Sequence, residues 1–379
     1  MRGLKIGKIA VKWITLIITI VMAMLLVASA WGGAVSPSSS NWLPVLTLAF
    51  PILLLINSAL LLLWLVTLQW RHVLVIVVAI VLSWTTVRVI CPLNFFASNE
   101  VASDSTLRVM TFNVCNFGPY DPNNHTPSAS IRYILDEDAD IVLLQEGSEE
   151  REYLQLSNVE MMREELEKKY PYHSDGWRDL MILSKYPYKV VPDTLLKNVV
   201  AYGDGKNSSY HFYAKAFDLD MGNGKQLRLI DLHLQSIGLS GTDRDLYVKI
   251  TGNEVEHSKS ELRNIKHSLL DKLNAAFCRR ATEANMVRSL LDKSPDNVIL
   301  CGDFNDTAGS YCYRTIKGDD MNDAFAQCGL GIKHTYNQDR LYFKIDHILY
   351  RGELEAVDWK RDKAGDSDHY PQVATFVWK

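Results

Sequence analysis

The sequence predicts an α/β domain placed behind a set of membrane helices, and three observations predict it. Long uncharged apolar runs fill the first hundred positions. The remainder alternates short strand-like runs with stretches of helical periodicity, the pattern of α/β architecture. Charge divides the same way: residues 1–100 hold six Lys/Arg and one acidic residue, Glu100, which leaves 34 Lys/Arg against 43 Asp/Glu and a net charge of −9 in 101–379. With 47% apolar and 22% charged residues overall, the 379-residue chain is neither disordered, collagen-like nor a small disulfide scaffold. The acidic portion also disfavours generic nucleic-acid binding, which depends on Lys and Arg neutralising phosphates.

Uncharged runs at 13–30, 43–70 and 73–87 are read as three transmembrane helices, at about 13–30, 43–70 and 73–93, within an N-terminal membrane region 1–97. A span needs about 20 apolar residues, with a range of about 17–25. The first two runs satisfy this, with a kink expected at Pro51. The third has 15 residues before Arg88, so it spans only with Arg88 snorkelling and 89–93 contributing. Basic residues at 2, 5, 8 and 12, none in the loop 31–42, and Arg71 between runs two and three place the N-terminus inside. The expectation is an integral protein of a bacterial-type inner membrane, with the soluble portion outside the cytoplasm. Ala28-Ser29-Ala30 also resembles a signal-peptide cleavage site; that reading leaves the later runs as anchor.

Residues 98–106 read as a linker and 107–379 as one domain. Strands are expected at 107–114, 141–144, 181–183, 227–234, 298–301, 341–350 and 373–378. Helices are expected from Ser128 or Ser130, through Val159, Met162 and Leu166, and within the charged stretch 239–292, where Leu262, Ile265, Leu269, Leu273 and Phe277 recur at helical spacing. All six cysteines lie after the membrane runs. Cys115 and Cys301 read as small buried hydrophobes, no spacing suggests zinc, and pairing of Cys312 with Cys328 is left open.

Several of these strands end abruptly in carboxylates, amides or histidines. The first runs into Asn113, the second into Gln145-Glu146, and 298–301 into Gly302-Asp303-Phe304-Asn305-Asp306. Asp346-His347 and Ser367-Asp368-His369 belong to the same set. Ligands of open α/β sheets collect outside strand ends. Carboxylates gathered there repel one another unless a cation is present or some stay protonated, and oxygen-rich sets suit Mg²⁺, Mn²⁺ or Ca²⁺ rather than zinc. Singly, each element is weak: Asp303 and Asn305 also fit an Asx turn. In 229–235 a period of two places Asp231, His233 and Gln235 opposite Ile230, Leu232 and Leu234, and a histidine there also fits a core position with one hydrogen bond.

In this order the segments VMTFNVCNF (109–117), IVLLQE (141–146), LSKYP (183–187), DLHL (231–234), GDFND (302–306), KIDHILY (344–350) and SDHYP (367–371) resemble the endonuclease/exonuclease/phosphatase superfamily, the deoxyribonuclease I-like metal-dependent phosphoesterases. The resemblance covers about 107–379. It implies a four-layer α/β/β/α sandwich of two mixed sheets and hydrolysis of a phosphodiester or phosphomonoester by in-line attack of water. It implies Glu146 as the main carboxylate for Mg²⁺ or Mn²⁺, with Asn113 and Asp368 close to the metal. Asp303 matches the residue that orients or deprotonates the water, and Asn305 its phosphate-contacting neighbour. His233 and His369 match the pair flanking the phosphate, with Asp346 orienting His369.

This chain departs from the pattern at Asp231, where relatives carry Asn or Thr, and at Lys344, where Arg is common. Asp231 is expected to add negative charge beside His233 and favour its imidazolium. The stretch 177–181 offers no alignable substrate-side residue. The expected partners are the lipid bilayer and a phosphoester substrate, whether lipid headgroup, small ester or nucleic acid, with no obligate protein partner evident. The alternatives are an extracytoplasmic nuclease and a non-catalytic membrane scaffold.

Overall fold

A computed structural model describes residues 2–95, 106–117, 128–147, 162–174, 179–192, 213–222, 224–237, 259–338 and 342–379. Residues 98–105 of the expected linker 98–106, the helix start at Val159, Trp177-Arg178 and the first part of the charged stretch, 239–258, lie outside the described residues; Thr106 begins the first strand.

The N-terminal runs form helices α1 (Arg2–Trp31), α2 (Leu43–Leu48), α3 (Phe50–Val66), α4 (Trp70–Leu82) and α5 (Trp84–Ile90). Three continuous spans were expected, and the structure corrects this. Among the described residues one helix is long and apolar enough to cross a membrane, over Ala10–Ala34. The second run breaks at Ala49, so Pro51 occupies the first turn of α3 instead of kinking a longer helix. The third breaks at Ser83, and α4 and α5 meet at 70°; the bent pair adds a second span only if its two helices cross as one. Trp13, Ile14, Ile17, Ile52, Leu55, Leu62, Leu74 and Val81 are exposed on these helices.

Two six-stranded mixed sheets follow. The first contains β1 (Thr106–Asn113), β2 (Ile141–Gln145), β3 (Tyr172–His173), β4 (Met181–Ser184), β11 (Leu354–Arg361) and β12 (Gln372–Trp378), in the order β11-β12-β1-β2-β4-β3. The second contains β5 (Tyr188–Val190), β6 (Tyr213–Asp220), β7 (Gln226–His233), β8 (Val298–Asp303), β9 (Asn322–Asp323) and β10 (Asp346–Arg351), in the order β5-β6-β7-β8-β10-β9. Each sheet has one parallel pair at its centre, β1 with β2 and β7 with β8. The expected strand from 341 shortens: 342–345 is irregular and β10 starts at Asp346.

The faces between the sheets are apolar: Val109, Ile141 and Leu143 of one sheet join Phe217, Leu229 and Ile299 of the other in one buried cluster. The outer face of the first sheet is covered by α6 (Ala129–Glu137), capped by the Ser128 hydroxyl, and α7 (Arg163–Lys169). The outer face of the second is covered by α8 (Lys259–Asp292) and α9 (Tyr311–Lys317), through Ala284, Val287, Leu291, Cys312 and Ile316. A short helix, α10 (Ala324–Cys328), closes one end of the inter-sheet core. The result is an α/β/β/α sandwich. All six cysteines are free, Cys312 and Cys328 included.

The N-terminal helices pack on this sandwich. Arg314 of α9 donates through Nη2 to the carbonyl of Ala30 at 2.7 Å and to Thr86 Oγ1 at 2.8 Å. Gly33 lies so close to Gly309 that a Cβ on it would sit 2.0 Å from the Gly309 carbonyl oxygen. Asn94 Nδ2 donates to the carbonyls of Ala326 and Gly329, both at 3.0 Å.

Candidate active site

The sheet registers bring the polar strand ends to one edge. Asn113 pairs with Gln145 where β1 and β2 end, and His233 pairs with Asp303 where β7 and β8 end. β10 runs antiparallel to β8 and begins at Asp346, opposite Asp303. β12 runs antiparallel to β1, so the 367–369 segment preceding it reaches the same edge. The same holds for Asp179, two residues ahead of β4, because Met181 pairs with Leu144 of β2. Within the second sheet β8 lies tight against β7 here: at Gly302, with φ 139°, a Cβ would be 2.0 Å from the Leu232 carbonyl oxygen.

Asp303 is buried at the centre. Its Oδ2 lies 3.7 Å from His369 Nε2 and 4.0 Å from His233 Nε2. Each histidine donates from Nδ1 to its own carboxylate, His369 to Asp346 Oδ2 at 3.0 Å and His233 to Asp179 Oδ2 at 3.1 Å, and this fixes Nε2 toward Asp303. Asn113 Nδ2 donates to Glu146 Oε1 at 3.0 Å and to Asp303 Oδ2 at 3.1 Å, while its Oδ1 accepts from the Cys115 amide at 3.1 Å. Asn305 forms the Asx turn through its amide to Asp303 Oδ1 at 2.7 Å, and its Nδ2 donates to the Leu234 carbonyl at 2.9 Å. Ser367 Oγ donates to the Asn113 carbonyl at 2.6 Å and accepts from the His369 amide at 3.0 Å. Glu146 (φ 56°), Asn305 (φ 50°) and the 115–117 turn (φ 44–59°) all hold left-handed backbone, so strain is concentrated around this site.

Burial opposes charge on both histidines, but the surrounding carboxylates outweigh it. The Asp179 hydrogen bond, with Asp303, pushes His233 up to about 9; Asp346 and Asp303 push His369 up to about 10. Burial, then the charge of Asp346, raises Asp303 above the ordinary carboxylate range, against the two histidines. Cys115 sits beside Asp368 and Glu146, and burial and those charges push its thiol up to about 12, so it is no nucleophile.

Asn113, Glu146, His233, Asp303, Asn305, Asp346, Asp368 and His369 come together at this edge. Two readings change. Asp231 lies beneath the site, fully buried between the sheets, and its Oδ1 accepts from Gln145 Nε2 at 2.6 Å. Burial lifts its carboxyl well above the ordinary range despite that bond, and the charge favouring the imidazolium comes from other residues. Asp179 is foremost among them, and sequence reasoning missed it. Lys344 faces inward: its Nζ donates to the Asp346 carbonyl at 2.7 Å and lies 5.1 Å from the Phe325 ring centre.

The site suits a hard divalent cation. Glu146, Asp179, Asp303, Asp346 and Asp368 crowd two histidines, an oxygen-rich set of Mg²⁺ or Mn²⁺ character. Asp303, Asp346 and His369 offer ligand-type atoms within 4.8 Å of one another. That trio is buried and its His369–Asp346 bond is already made. Glu146, with about a third of its side chain exposed, is open to a hydrated ion and to substrate.

Residues 12–90 match a model for a domain of unknown function. No curated protein matches the chain. Solved structures similar to it include truncated Caenorhabditis elegans TDP2 (18% identity, TM-score 0.43, covering 72% of this chain and 98% of that one). The human Nocturnin catalytic domain is 14% identical, with TM-score 0.43 and coverage of 72% and 95%. A Bacteroides thetaiotaomicron mannosyl-6-phosphatase is 15% identical, with TM-score 0.41 and coverage of 72% and 100%. Residues 110–369 match the model of the endonuclease/exonuclease/phosphatase family, whose members hydrolyse phosphoester bonds and typically depend on a divalent metal. With more than two thirds of its length matched, the chain belongs to the endonuclease/exonuclease/phosphatase family.

Proposed function

We propose that the protein is a membrane-anchored, divalent-metal-dependent phosphoesterase that hydrolyses a phosphodiester or phosphomonoester by in-line attack of water. The observation that carries this reading is the placement of Asp303 between the Nε2 atoms of two histidines, each braced at Nδ1 by its own carboxylate. Glu146, with Asn113 and Asp368 beside it, would hold Mg²⁺ or Mn²⁺. The bound ion supplies Lewis-acid neutralisation of charge on the phosphate oxygens.

The chain's own groups do the rest. Asp303 orients the attacking water and takes its proton, a task suited to a carboxyl raised toward neutrality. His233 and His369, both charged at pH 7, donate from Nε2 to the phosphoryl oxygens. Asn305 contacts the phosphate from its turn, and Asp346 and Asp179, accepting from Nδ1, orient the two imidazolium rings and stabilise their charge. Anchoring rests on α1 and on the exposed apolar faces of α1, α3 and α4, which water would not favour. With α1 as the single span, the basic N-terminal flank favours a catalytic domain outside the cytoplasm of a bacterial-type cell. The net charge of −9 in residues 101–379 favours a lipid headgroup or small phosphoester over nucleic acid.

The test is a panel of bis(p-nitrophenyl) phosphate, p-nitrophenyl phosphate and supercoiled plasmid, offered to the purified full chain in detergent with Mg²⁺ or Mn²⁺. Ester hydrolysis that stops on chelation and returns with metal is expected, and Glu146→Gln abolishes it. Plasmid nicking that dominates over ester hydrolysis favours the nuclease alternative. No hydrolysis of any substrate by wild type leaves only the scaffold alternative.

A further inference from the structure

Helix α8 turns one short stretch, Arg280 to Glu283, toward the two loops that carry the reacting groups. The Arg280 side chain is 1% exposed. Its Nε donates to Asp306 Oδ2 at 3.1 Å, and its Nη1 donates to the Gln235 carbonyl at 3.0 Å. Glu283 Oε2 accepts from the Gln235 amide at 3.0 Å. Gln235, two residues beyond His233, therefore has both backbone polar groups held by α8. Asp306, three residues beyond Asp303, is held by the same guanidinium, and its carbonyl accepts from His347 Nε2 at 3.0 Å.

These bonds close a ring. The Leu234 amide donates to the Asp303 carbonyl at 2.9 Å, and Asn305 Nδ2 returns to the Leu234 carbonyl at 2.9 Å. The planar fork of arginine joins the outer ends of both loops, which a lysine point charge cannot do. A buried ion pair is weak evidence for stability, since apolar replacements of both partners are often neutral or better. Its geometric effect is a separate matter.

We propose that Arg280 is a positioning residue for hydrolysis: through Gln235 and Asp306 it sets the spacing of His233 from Asp303. The proposal rests on the phosphoesterase reading of the site. Arg280 contacts neither histidine, and it acts by fixing the backbone that carries them.

The test compares Arg280→Met, Asp306→Leu and the double variant in the full chain, by melting temperature and by kcat and KM on bis(p-nitrophenyl) phosphate with Mg²⁺. Each single variant loses both stability and turnover, because it strands a buried charge. The double variant is expected to regain the wild-type melting temperature. Its kcat stays roughly 10- to 100-fold low, the scale of an ångström-level misplacement, with KM within about threefold. Recovery of kcat together with stability would show that the pair only stabilises, and would overturn the proposal.

Arg280→Lys provides a second reading should the double variant fail to fold. It keeps a charge opposite Asp306 and loses the bridge to Gln235. A folded Arg280→Lys protein with wild-type kcat overturns the proposal, whereas a kcat lowered about tenfold at unchanged KM supports it. A wild type inert toward every ester overturns the phosphoesterase reading and this assignment with it; an active wild type beside undiminished variants removes only the assignment.

Discussion

Replacing Asp179 with Asn isolates the charge that holds His233 as an imidazolium. The amide oxygen of Asn still accepts from Nδ1 at the 3.1 Å site, so the ring keeps its orientation while the negative charge leaves. His233 is held at about 9 against an ordinary 6.5 by Asp179, Asp303 and Glu146, with burial opposing. An opposite charge at this range shifts a histidine by about 1–3 units. Because Asp303 and Glu146 remain, the expected fall is about 1–2 units. The sign follows from the role: turnover needs the charged ring and is lost as pH rises through its pKa. The alkaline limb of the kcat/KM profile therefore moves from near 9 in wild type to about 7–8 in the variant, with the acid limb in place. The assay is hydrolysis of bis(p-nitrophenyl) phosphate from pH 5 to 10 at constant ionic strength and Mg²⁺ concentration. An alkaline limb that stays put, or a uniform loss of activity at every pH, would refute the assignment of Asp179.

Three further outcomes are expected. Asp303→Asn should abolish turnover yet stabilise the apo protein at pH 8 by roughly 1–3 kcal/mol, read as a higher melting temperature, because a carboxyl held above its unfolded pKa costs stability once ionised; the gain should vanish near pH 4, and a destabilised variant at pH 8 would contradict it. Gly302→Ala should destabilise on the order of 3 kcal/mol through the clash with Leu232 and the positive φ, read by thermal melting, and an unchanged melt would count against the close approach of β7 and β8. Arg314→Met should cost about 1.5–3 kcal/mol by removing a charged donor from Ala30 and Thr86 and should speed amide exchange in 30–34 and 84–90; unaltered exchange there would mean the contact does not hold the helices to the sandwich.

The strand ends were legible because chemistry and pattern coincide there: an apolar run of period two or a buried run, stopped by Asn113, Glu146, His233 or Asp303. Asp179 was not legible, since it lies in a loop and gains its role only when β4 pairs antiparallel with β2 and swings it to His233. Asp231 misled for a related reason. Alternation places it on the His233 face, but two residues of strand carry it about 6.6 Å inward, to Gln145 and away from the phosphate edge. The short strands β3, β5 and β9 lack long apolar runs and are fixed by their partners. In the N-terminal region composition reported how apolar the runs are. It did not report where they break, which Ala49 and Ser83 decide through backbone geometry.

The bonds from Arg314 to Ala30 and Thr86 and the Gly33–Gly309 contact leave no slack between α1 and the sandwich. An enzyme on a slack leash sweeps a hemisphere above its mooring. Under the membrane anchoring proposed above, one bolted down in this way would work at a single standoff height and a single tilt. Reach thus becomes a selection rule alongside chemistry, and moving the bolt by one helical turn would redraw which esters the groove can meet.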